Sequence, residues 1–256
     1  MVTRARVAGS KFERVQRAHF ERADDRHFVW QTRGPGFAVR EARLLALALA
    51  PVTRPLLEIG CGEGGNLFHL LALPSDGGPG PLIGLDAFPA RVGSARRALA
   101  GARFACADAG ALPFADASFR TVLIRDVLHH LPQPARAVAE AVRVLVPGGR
   151  LVLLEPNARN PLIRLQMALV PAERGAARLD AAFLRALVAD LPLTSIEQGV
   201  LAPLPIERAL LHPDLGLPRL GRLALMDKFL DGCERAATKL LPSARWSTLM
   251  LRARRA

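Results

Sequence analysis

Short apolar runs alternate along this chain with longer segments that carry apolar residues at helical spacing. The runs "LLEIG", "LIGLD", "RFACAD", "RTVLIRD" and "RLVLLEP" each end at or next to a glycine or a charged residue. Segments such as "PARVGSARRALA" and "ARAVAEAVRVL" lie between them. Runs of the first kind are typical of buried strands, and segments of the second kind are typical of helices. Their alternation predicts a parallel sheet with helices on both faces.

The rest of the chain fits the same sheet less regularly. Residues 37–50, "FAVREARLLALALA", predict a helix before the first strand, while 194–201 and 245–254 predict a sixth and a seventh strand. The Leu- and Pro-rich segment 202–244 is too long for a plain loop, so it is expected to contain helices. The expected fold is therefore α/β and Rossmann-like: a seven-stranded, mostly parallel sheet with helices on both faces and an added helical cap or lid.

The same pattern divides the chain into three parts. Residues 1–45 are expected to form an N-terminal lid or cap, because their first forty residues are polar, rich in arginine and interrupted by "RGPG". Residues 46–156 hold the regular alternation and are expected to form a cofactor-binding, Rossmann-like core. Residues 157–256 are expected to supply the substrate-side helices and the last two strands of the sheet.

Charged side chains follow the predicted strands. In a parallel sheet, ligands bind beyond the carboxyl ends of the strands, near the point where the strand order reverses. The charged residues at such ends are Glu58, Asp86, Asp108, Arg125, Asp126 and Glu155. This edge of the sheet is therefore the predicted site.

The run "LLEIGCGEGGN" fits two cofactor patterns at once. Gly60, Gly62 and Gly65 satisfy G-x-G-x-x-G, the dinucleotide fingerprint. Glu58, Gly60, Gly62 and Gly64 also satisfy E-x-G-x-G-x-G, the methyl-donor pattern. Glycine lets the backbone approach either ligand because it lacks a Cβ. The glycines alone do not choose between the two cofactors.

Carboxylates near the turn favour S-adenosylmethionine. A dinucleotide places its pyrophosphate at the N-terminus of the helix, where negative side chains repel it. Glu58 and Glu63 both lie beside the turn, and a carboxylate there can hydrogen-bond the ammonium of a methionine-like tail. Asp86 suits the ribose of either cofactor. Asp108, after the third strand, can accept a hydrogen bond from the adenine amino group.

Four blocks, in this order and spacing, resemble one family. They are "LLEIGCGEGGN", "GLDAFPA", "DAGALPFADASFRTVLIRDVLHHL" and "AEAVRVLVPGGRLVLLEP". The family is the class I S-adenosylmethionine-dependent methyltransferases of the small-molecule type, similar to the quinone-biosynthesis methyltransferases. The resemblance covers roughly residues 55 to 156, and only a general likeness remains beyond them.

The resemblance implies a cofactor site at the ends of the first four strands. Glu58 would lie at the polar end of the methionine moiety, Asp86 would hold the ribose hydroxyls, Asp108 would read the adenine edge, and Arg125 would border the transferring methyl. The implied cofactor-binding residues are Glu58, Gly60, Cys61, Gly62, Gly64, Asp86, Ala87, Asp108, Ala109 and Arg125.

A pair of histidines is the candidate for proton transfer. His129 and His130 follow the fourth strand, and a histidine there could deprotonate a hydroxyl or a carbon acid near neutral pH. The alternative is that the pair only shapes the turn. No third metal ligand lies at a suitable sequence spacing, so no metal is expected.

The segments outside the core are expected to cover the cofactor. His27, Trp30 and Arg33 are the candidate lid residues, and Glu155 is a candidate on the substrate side. Residues 157–244 are rich in Leu and Pro, and residues 1–40 hold four Phe, which suggests a small lipophilic acceptor. Whether its O, C or N atom is methylated stays open, as does the oligomeric state.

The charge of the chain opens one rival function. The formal net charge is +12, and a field of this sign attracts anions. The basic residues are spread along the chain and lack the interleaved aromatics of a single-strand binding groove, so no specific nucleic acid is expected. An RNA or protein methyltransferase is one alternative, and a non-catalytic cofactor-binding scaffold on the same fold is another.

The cysteines and the apolar runs bear on location. Cys61, Cys106 and Cys233 form no paired framework, which indicates free thiols in a reducing cytoplasm. The first twenty residues lack an apolar core, so no signal peptide is expected. No apolar run is long enough to span a bilayer. Peripheral contact with a membrane surface stays open.

Overall fold

A computed structural model describes residues 10–21, 25–76, 78–212 and 216–256. Residues 1–9 and 22–24 of the expected lid lie outside the described residues. The strands are β1 (Leu56–Ile59), β2 (Leu82–Asp86), β3 (Arg103–Cys106), β4 (Phe119–Arg125), β5 (Leu145–Pro156), β6 (Leu193–Leu201) and β7 (Thr248–Arg255). The α-helices are α1 (Lys11–Phe20), α2 (Asp25–Arg33), α3 (Ala38–Leu49), α4 (Gly65–Ala72), α5 (Pro89–Ala98), α6 (Pro134–Val144), α7 (Pro161–Leu169), α8 (Ala181–Val188), α9 (Ile206–Leu210) and α10 (Ala224–Leu240).

These strands form one seven-stranded sheet in the order β3-β2-β1-β4-β5-β7-β6. The pairs among β1 to β5 are parallel, whereas β7 runs antiparallel to both β5 and β6. The predicted fold class is confirmed, including the sixth and seventh strands and the helices expected within 202–244.

The order reverses at β1, which lies between β2 and β4. All four residues of β1 are buried because both faces of this central strand are covered. Ile59 pairs with Leu85 on one side and with Ile124 on the other. The residues that follow these pairs therefore emerge at a single edge of the sheet, where a ligand site is expected.

Helices cover both faces, and each face has its own core. On one face Leu57 and Ile59 of β1 belong to a cluster with residues of α6 and α8. On the other face Leu56 clusters with residues of α3, α4 and α5, among them Leu45 and Leu49. The apolar spacing seen in the sequence places these side chains inward because positions three and four apart share a helix face.

Two local differences from the sequence predictions have physical causes. The strand expected from the run "RLVLLEP" begins five residues before that run, so the preceding "PGG" is an irregular part of β5. The pairing with β4 shifts register there, and Gly148 adopts a φ of +74°, which suits glycine. The predicted boundary between the lid and the core, after residue 45, falls inside α3. This helix packs as one unit, because Leu45 and Leu49 are both fully buried against the sheet.

The N-terminal and C-terminal segments also pack on each other. Trp30 and Phe37, from the start of the chain, form a buried cluster with Leu211 and Leu230 near its end. Within the described residues, no helix combines the length and the apolar character needed to cross a membrane.

Helix α3 allows a direct test of whether it belongs to the core. Leu45 is fully buried, while Leu47 on the same helix is 57% exposed. We expect Leu45→Ala to lower the free energy of unfolding by about 2–5 kcal/mol, because the substitution leaves a cavity. Leu47→Ala should change it by less than about 0.5 kcal/mol. Urea unfolding measures both, and equal losses would contradict the placement of α3.

Candidate active site

A left-handed glycine turn connects β1 to α4. Gly60, Gly62 and Gly64 have φ values of +76°, +53° and +90°, a region that side chains disfavour. At Gly60 a Cβ would also lie 2.2 Å from the Val127 side chain, so glycine is needed there for space as well. The turn thus brings backbone to the edge of the sheet where β1 and β4 meet.

Cys61 lies within this turn, but its side chain faces the core. The residue is 5% exposed, and a Cβ on Gly84 of β2 would approach its sulfur to 2.7 Å. Burial raises the pKa of its thiol well above the usual value. The expectation that Cys61 contacts a cofactor can therefore hold only through its backbone.

Asp86 ties the end of β2 to the glycine turn. Its two carboxylate oxygens accept hydrogen bonds from the backbone N–H groups of Gly62 and Phe88, both at 2.9 Å. A carboxylate has about four acceptor sites, so capacity remains for a ligand hydroxyl. Ala87, the next residue, is exposed at the same edge.

At the end of β3, Asp108 has an exposed carboxylate. One of its oxygens accepts the backbone N–H of Gly110 at 2.7 Å, which orients the side chain. Ala109 beside it is buried. The three acids expected at the ends of β1, β2 and β3 therefore occupy the predicted edge.

Glu58 is the most unusual of these acids. It is fully buried, and its Oε1 accepts a hydrogen bond from the Asn66 amide at 2.6 Å. Its Oε2 is buried and has no hydrogen-bond partner among the described residues. Burial raises the pKa of Glu58 to about 7, although the Asn66 hydrogen bond and the charge of Arg125 lower it. An unpartnered buried carboxylate oxygen of this kind is costly unless something binds to it.

A buried charge network surrounds Arg125 at the end of β4. Its guanidinium donates to Asn66 at 2.8 Å and forms a short ion pair with Glu41 of α3. Glu41 also pairs with Arg208 of α9 at 3.2 Å, and Arg208 donates to Asp126 at 3.0 Å. Two guanidinium groups and two carboxylates thus balance each other, with Arg125 and Glu41 buried and the side chains of Arg208 and Asp126 partly exposed.

The network also sets the ionisation of its acids. Burial alone would raise the pKa of Glu41, but the charges of Arg125 and Arg208 hold it below the ordinary value. The same two arginines lower the pKa of Asp126 to about 2 against the opposing effect of burial. Both acids are therefore ionised at neutral pH.

A second ion pair lies directly against the glycine turn. The Arg91 guanidinium binds both oxygens of Glu63, at 2.9 and 2.8 Å. A Cβ on Gly62 would approach this guanidinium to 2.7 Å, and the Phe20 ring of α1 lies 5.1 Å from it. Glu63 is thus neutralised, so the carboxylate that distinguishes the two cofactor patterns is Glu58 alone.

The histidine pair lies in a 3₁₀ turn, Leu128–His130, directly after β4. The ring Nδ1 of His129 is 2.7 Å from Glu155, and the other oxygen of Glu155 accepts the backbone N–H of Leu128 at 2.7 Å. Glu155 is fully buried, so it holds this turn instead of facing an acceptor as the sequence suggested. Glu173, 3.4 Å from His129 Nε2, is a neighbour that the sequence did not indicate.

The two histidines ionise differently. Burial would lower the pKa of His129, but the hydrogen bond with Glu155 and the charges of Glu155 and Glu173 raise it to about 10. Burial, together with the charge of His129, lowers the pKa of His130 well below its usual value. At neutral pH His129 carries a proton on each nitrogen, while His130 is neutral.

Helix α1 crosses the edge that holds these groups. Its Gln16 donates to the backbone oxygen of Ala172 at 2.7 Å. The ring of Phe20 lies 6.3 Å from Phe88, after β2, and 4.7 Å from His130, after β4. This helix therefore covers the edge between the ends of two strands.

The candidate lid residues of α2 are arranged differently from the prediction. Trp30 stacks on Phe37 at 3.9 Å between centroids, and the His27 ring lies 5.4 Å from Trp30. Arg33 is exposed. The residue of α2 that meets the turn is Gln31, because a Cβ on Gly65 would approach its side-chain oxygen to 2.1 Å.

Comparison with known proteins agrees with this geometry. A family model described as "Methyltransferase domain" matches residues 57–153, which hold the glycine turn and the three acids. Over these residues the chain is similar to the class I S-adenosylmethionine-dependent methyltransferases. The resemblance seen in the four sequence blocks is thereby confirmed, and S-adenosyl-L-methionine is the cofactor of this family.

Two curated methyltransferases are similar to part of this chain. The demethylmenaquinone methyltransferase of Thermus thermophilus is 36% identical over 118 residues, which cover 44% of this chain and 52% of that protein. The phthiotriol/phenolphthiotriol dimycocerosates methyltransferase of Mycobacterium leprae is 36% identical over 107 residues, 41% of this chain and 38% of that protein. The matched region thus spans about half of these relatives' length or less.

Solved structures share the fold over nearly the whole chain. A possible histamine N-methyltransferase from Thermotoga maritima has a TM-score of 0.65 at 19% identity and covers 94% of this chain and all of that one. A [4+2]-cyclase has a TM-score of 0.53 at 21% identity and covers 86% of this chain and 82% of its own. The methyltransferase fold is therefore shared by proteins with different reactions.

Glu58 gives a test of the site's electrostatics in the cofactor-free protein. Its pKa rises from 4.5 to about 7 on folding, so the folded state holds more protons than the unfolded state between these values. The contribution of Glu58 to the free energy of unfolding is present below pH 4.5 and is lost as the pH rises through 7, by about 3 kcal/mol in total.

Glu58→Gln removes this ionisation. We expect the free energy of unfolding of the variant, minus that of the parent, to increase from pH 5 to pH 8. Urea unfolding of both proteins at both pH values measures this difference. A difference between the two proteins that stays constant over this range would contradict the raised pKa.

Proposed function

We propose that this chain transfers a methyl group from S-adenosylmethionine to a small, lipophilic acceptor. The observation that carries the proposal is the buried Oε2 of Glu58, which lacks a hydrogen-bond partner among the described side chains and backbone groups. It lies beside a glycine turn and at the same edge as Asp86 and Asp108. A cationic donor is the partner that a buried carboxylate favours.

The residues present fit the cofactor group by group. Glu58 would receive the ammonium, and the turn formed by Gly60, Gly62 and Gly64 would lie along the methionine moiety. Asp86 has spare acceptor capacity for the ribose hydroxyls. Asp108 presents an exposed, oriented carboxylate for the adenine amino group.

The chain's own part in the reaction is alignment and the exclusion of water. When bound, S-adenosylmethionine supplies a methyl group activated by a sulfonium. The buried network holds Arg125 in place beside Asn66 and Glu58, and Phe20 of α1 covers the edge. A covered, fixed edge favours in-line displacement and keeps water from the methyl group.

The role of the histidine pair stays a prediction. His129 is already protonated and lies between two carboxylates, so it is a poor base. His130 is neutral and lies against Phe20 of the covering helix. Of the two, His130 is the better candidate to accept a proton from an acceptor.

An apolar groove next to α9 supports a lipophilic acceptor. Its volume is about 420 Å³, which is in the range of small-molecule sites. It is lined by Leu162, Ile206, Ala209, Leu210, Gly216 and Leu217. The same short helix carries Arg208 of the buried network. The curated relatives named for demethylmenaquinone and for phthiotriol dimycocerosates are compatible with this class of acceptor.

Cofactor choice is tested by calorimetry. We expect S-adenosylhomocysteine to bind and NAD not to bind. Asp86→Ala should weaken S-adenosylhomocysteine binding by about 1–3 kcal/mol, because a ligand hydroxyl loses its acceptor. Asp190→Ala, at an exposed position, is the matched control and should bind as the parent does. Tight NAD binding, or unchanged affinity in a folded Asp86→Ala variant, would refute the cofactor assignment.

The class of acceptor is tested with the cofactor labelled in its methyl group. The protein is incubated with an extract of its source cells, and the label is then partitioned between organic solvent, water and acid-precipitable material. We expect the label in the organic phase. Label in precipitated RNA or protein would support the macromolecular alternative. No transfer at all, despite cofactor binding, would support a non-catalytic scaffold.

A further inference from the structure

Three potential metal ligands converge beside the covered edge. His129 and His130 come from the 3₁₀ turn after β4, and Glu173 comes from a second 3₁₀ segment, Pro171–Arg178. One ligand atom from each residue lies within 4.8 Å of the other two. The proposed methyl transfer leaves this cluster without a ligand of its own.

Two nitrogens of the cluster are unsatisfied. Within the described part of the chain, His129 Nε2 and His130 Nδ1 are buried and have no hydrogen-bond partner. His129 itself is only 1% exposed. An unsatisfied buried polar group is costly, and two from adjacent rings indicate a missing partner.

The surroundings of His129 match those of a metal-bound imidazole. Its Nδ1 is 2.7 Å from the buried carboxylate of Glu155, which holds one of the two ring protons there. A metal ion would displace the other proton from Nε2, so that the lone pair of this nitrogen becomes a ligand. A carboxylate behind a ligating histidine fixes the tautomer and the ring orientation in many metal sites. Glu155 would thus be a positioning residue and not a ligand.

The distance between His129 and Glu173 suits two ligands of a tetrahedral ion better than a hydrogen bond. His129 Nε2 and Glu173 Oε2 are 3.4 Å apart, and no hydrogen bond forms from this nitrogen to any described residue. Ligands at 2.0–2.2 Å from a tetrahedral ion are separated by about 3.3 Å. The Glu173 side chain is 18% exposed, so it can move to complete the set.

The two chain segments that supply the ligands are held close together. A Cβ on Gly175 would fall 1.8 Å from the backbone oxygen of His129, so only glycine allows this approach. Arg178 donates to the backbone oxygen of Leu131 at 2.8 Å and joins the second segment to the first. Rigid support of this kind orients ligands before an ion arrives.

We propose that His129, His130 and Glu173 bind one divalent transition-metal ion of the zinc class. Two imidazoles and one carboxylate suit zinc and its first-row neighbours, whereas magnesium and calcium prefer oxygen ligands throughout. Three protein ligands leave at least one position for water or for an oxygen of a bound molecule. The sequence expectation of no metal did not include Glu173, which is 43 positions from His130.

A metal-free arrangement is the rival explanation. A protonated His129 between Glu155 and Glu173 would satisfy those two carboxylates without an ion. That arrangement still leaves His130 Nδ1 unsatisfied. In the metal-free protein His130 can act as a base, whereas a bound ion would occupy its ring nitrogen. Metal binding and proton transfer by His130 are therefore alternatives.

The test measures metal binding directly and does not depend on methyl transfer. Chelator-treated full-length protein is titrated with Zn²⁺ by calorimetry, and with Co²⁺ while visible d–d absorption is recorded. We expect one equivalent to bind, with the intense bands of a tetrahedral cobalt site. Glu173→Gln and His130→Ala should each weaken binding at least about tenfold, and Glu155→Gln by about 10–100-fold. Glu197→Gln, an exposed glutamate of β6, is the matched control and should bind as the parent does.

Each outcome of these titrations either supports or overturns the metal site. Saturable binding that Glu173→Gln weakens while Glu197→Gln leaves it intact supports the site. No saturable binding tighter than about 100 µM, which would be weak for a three-ligand site, overturns it. Equal affinity in the parent and in Glu173→Gln also overturns it, because the ion would then be held elsewhere. Glu173 is partly exposed, so this variant decides the result even if His130→Ala fails to fold.

Discussion

The ion pair between Arg125 and Glu41 is the interaction on which the rest of the site depends. Both side chains are almost fully buried, and removing one partner of such a pair leaves an uncompensated charge that costs about 3–5 kcal/mol. Glu41 lies on α3, Arg125 ends β4, and Arg208 reaches them from α9. The need to pair these charges therefore joins the N-terminal helices, the sheet and the C-terminal segment at one edge.

This pairing also explains why Glu58 has no ion-pair partner among the described residues. Within the network two arginines balance Glu41 and Asp126, and Asn66 connects Arg125 to Glu58 by hydrogen bonds on both sides of its amide. One oxygen of Glu58 is thus oriented, and the other has no partner among the described residues. A cation that binds here completes the charge balance of the edge, which is why the geometry favours a cofactor with an ammonium group over one with a pyrophosphate.

Local patterns allowed the strands, the glycine turn and the acids at the ends of β1, β2 and β3 to be predicted, because periodicity and strand ends are visible within a few residues. The partners of these groups could not be predicted in the same way. Glu41 and Arg208 are 167 positions apart, and Glu173 joins the histidines only through a tertiary contact. Trp30 illustrates the limit from the other side: its aromatic character suggested a lid, but its neighbours place it in a packed cluster.

The most direct test of this account is the proton balance of cofactor binding. Because the pKa of Glu58 is about 7 and a bound ammonium favours its ionised form, S-adenosylhomocysteine should displace about half a proton near pH 7. Calorimetry in buffers with different ionisation enthalpies measures this release. The account predicts a clear release by the parent protein and little or none by Glu58→Gln. Tight binding without proton release, or the same release by both proteins, would contradict it.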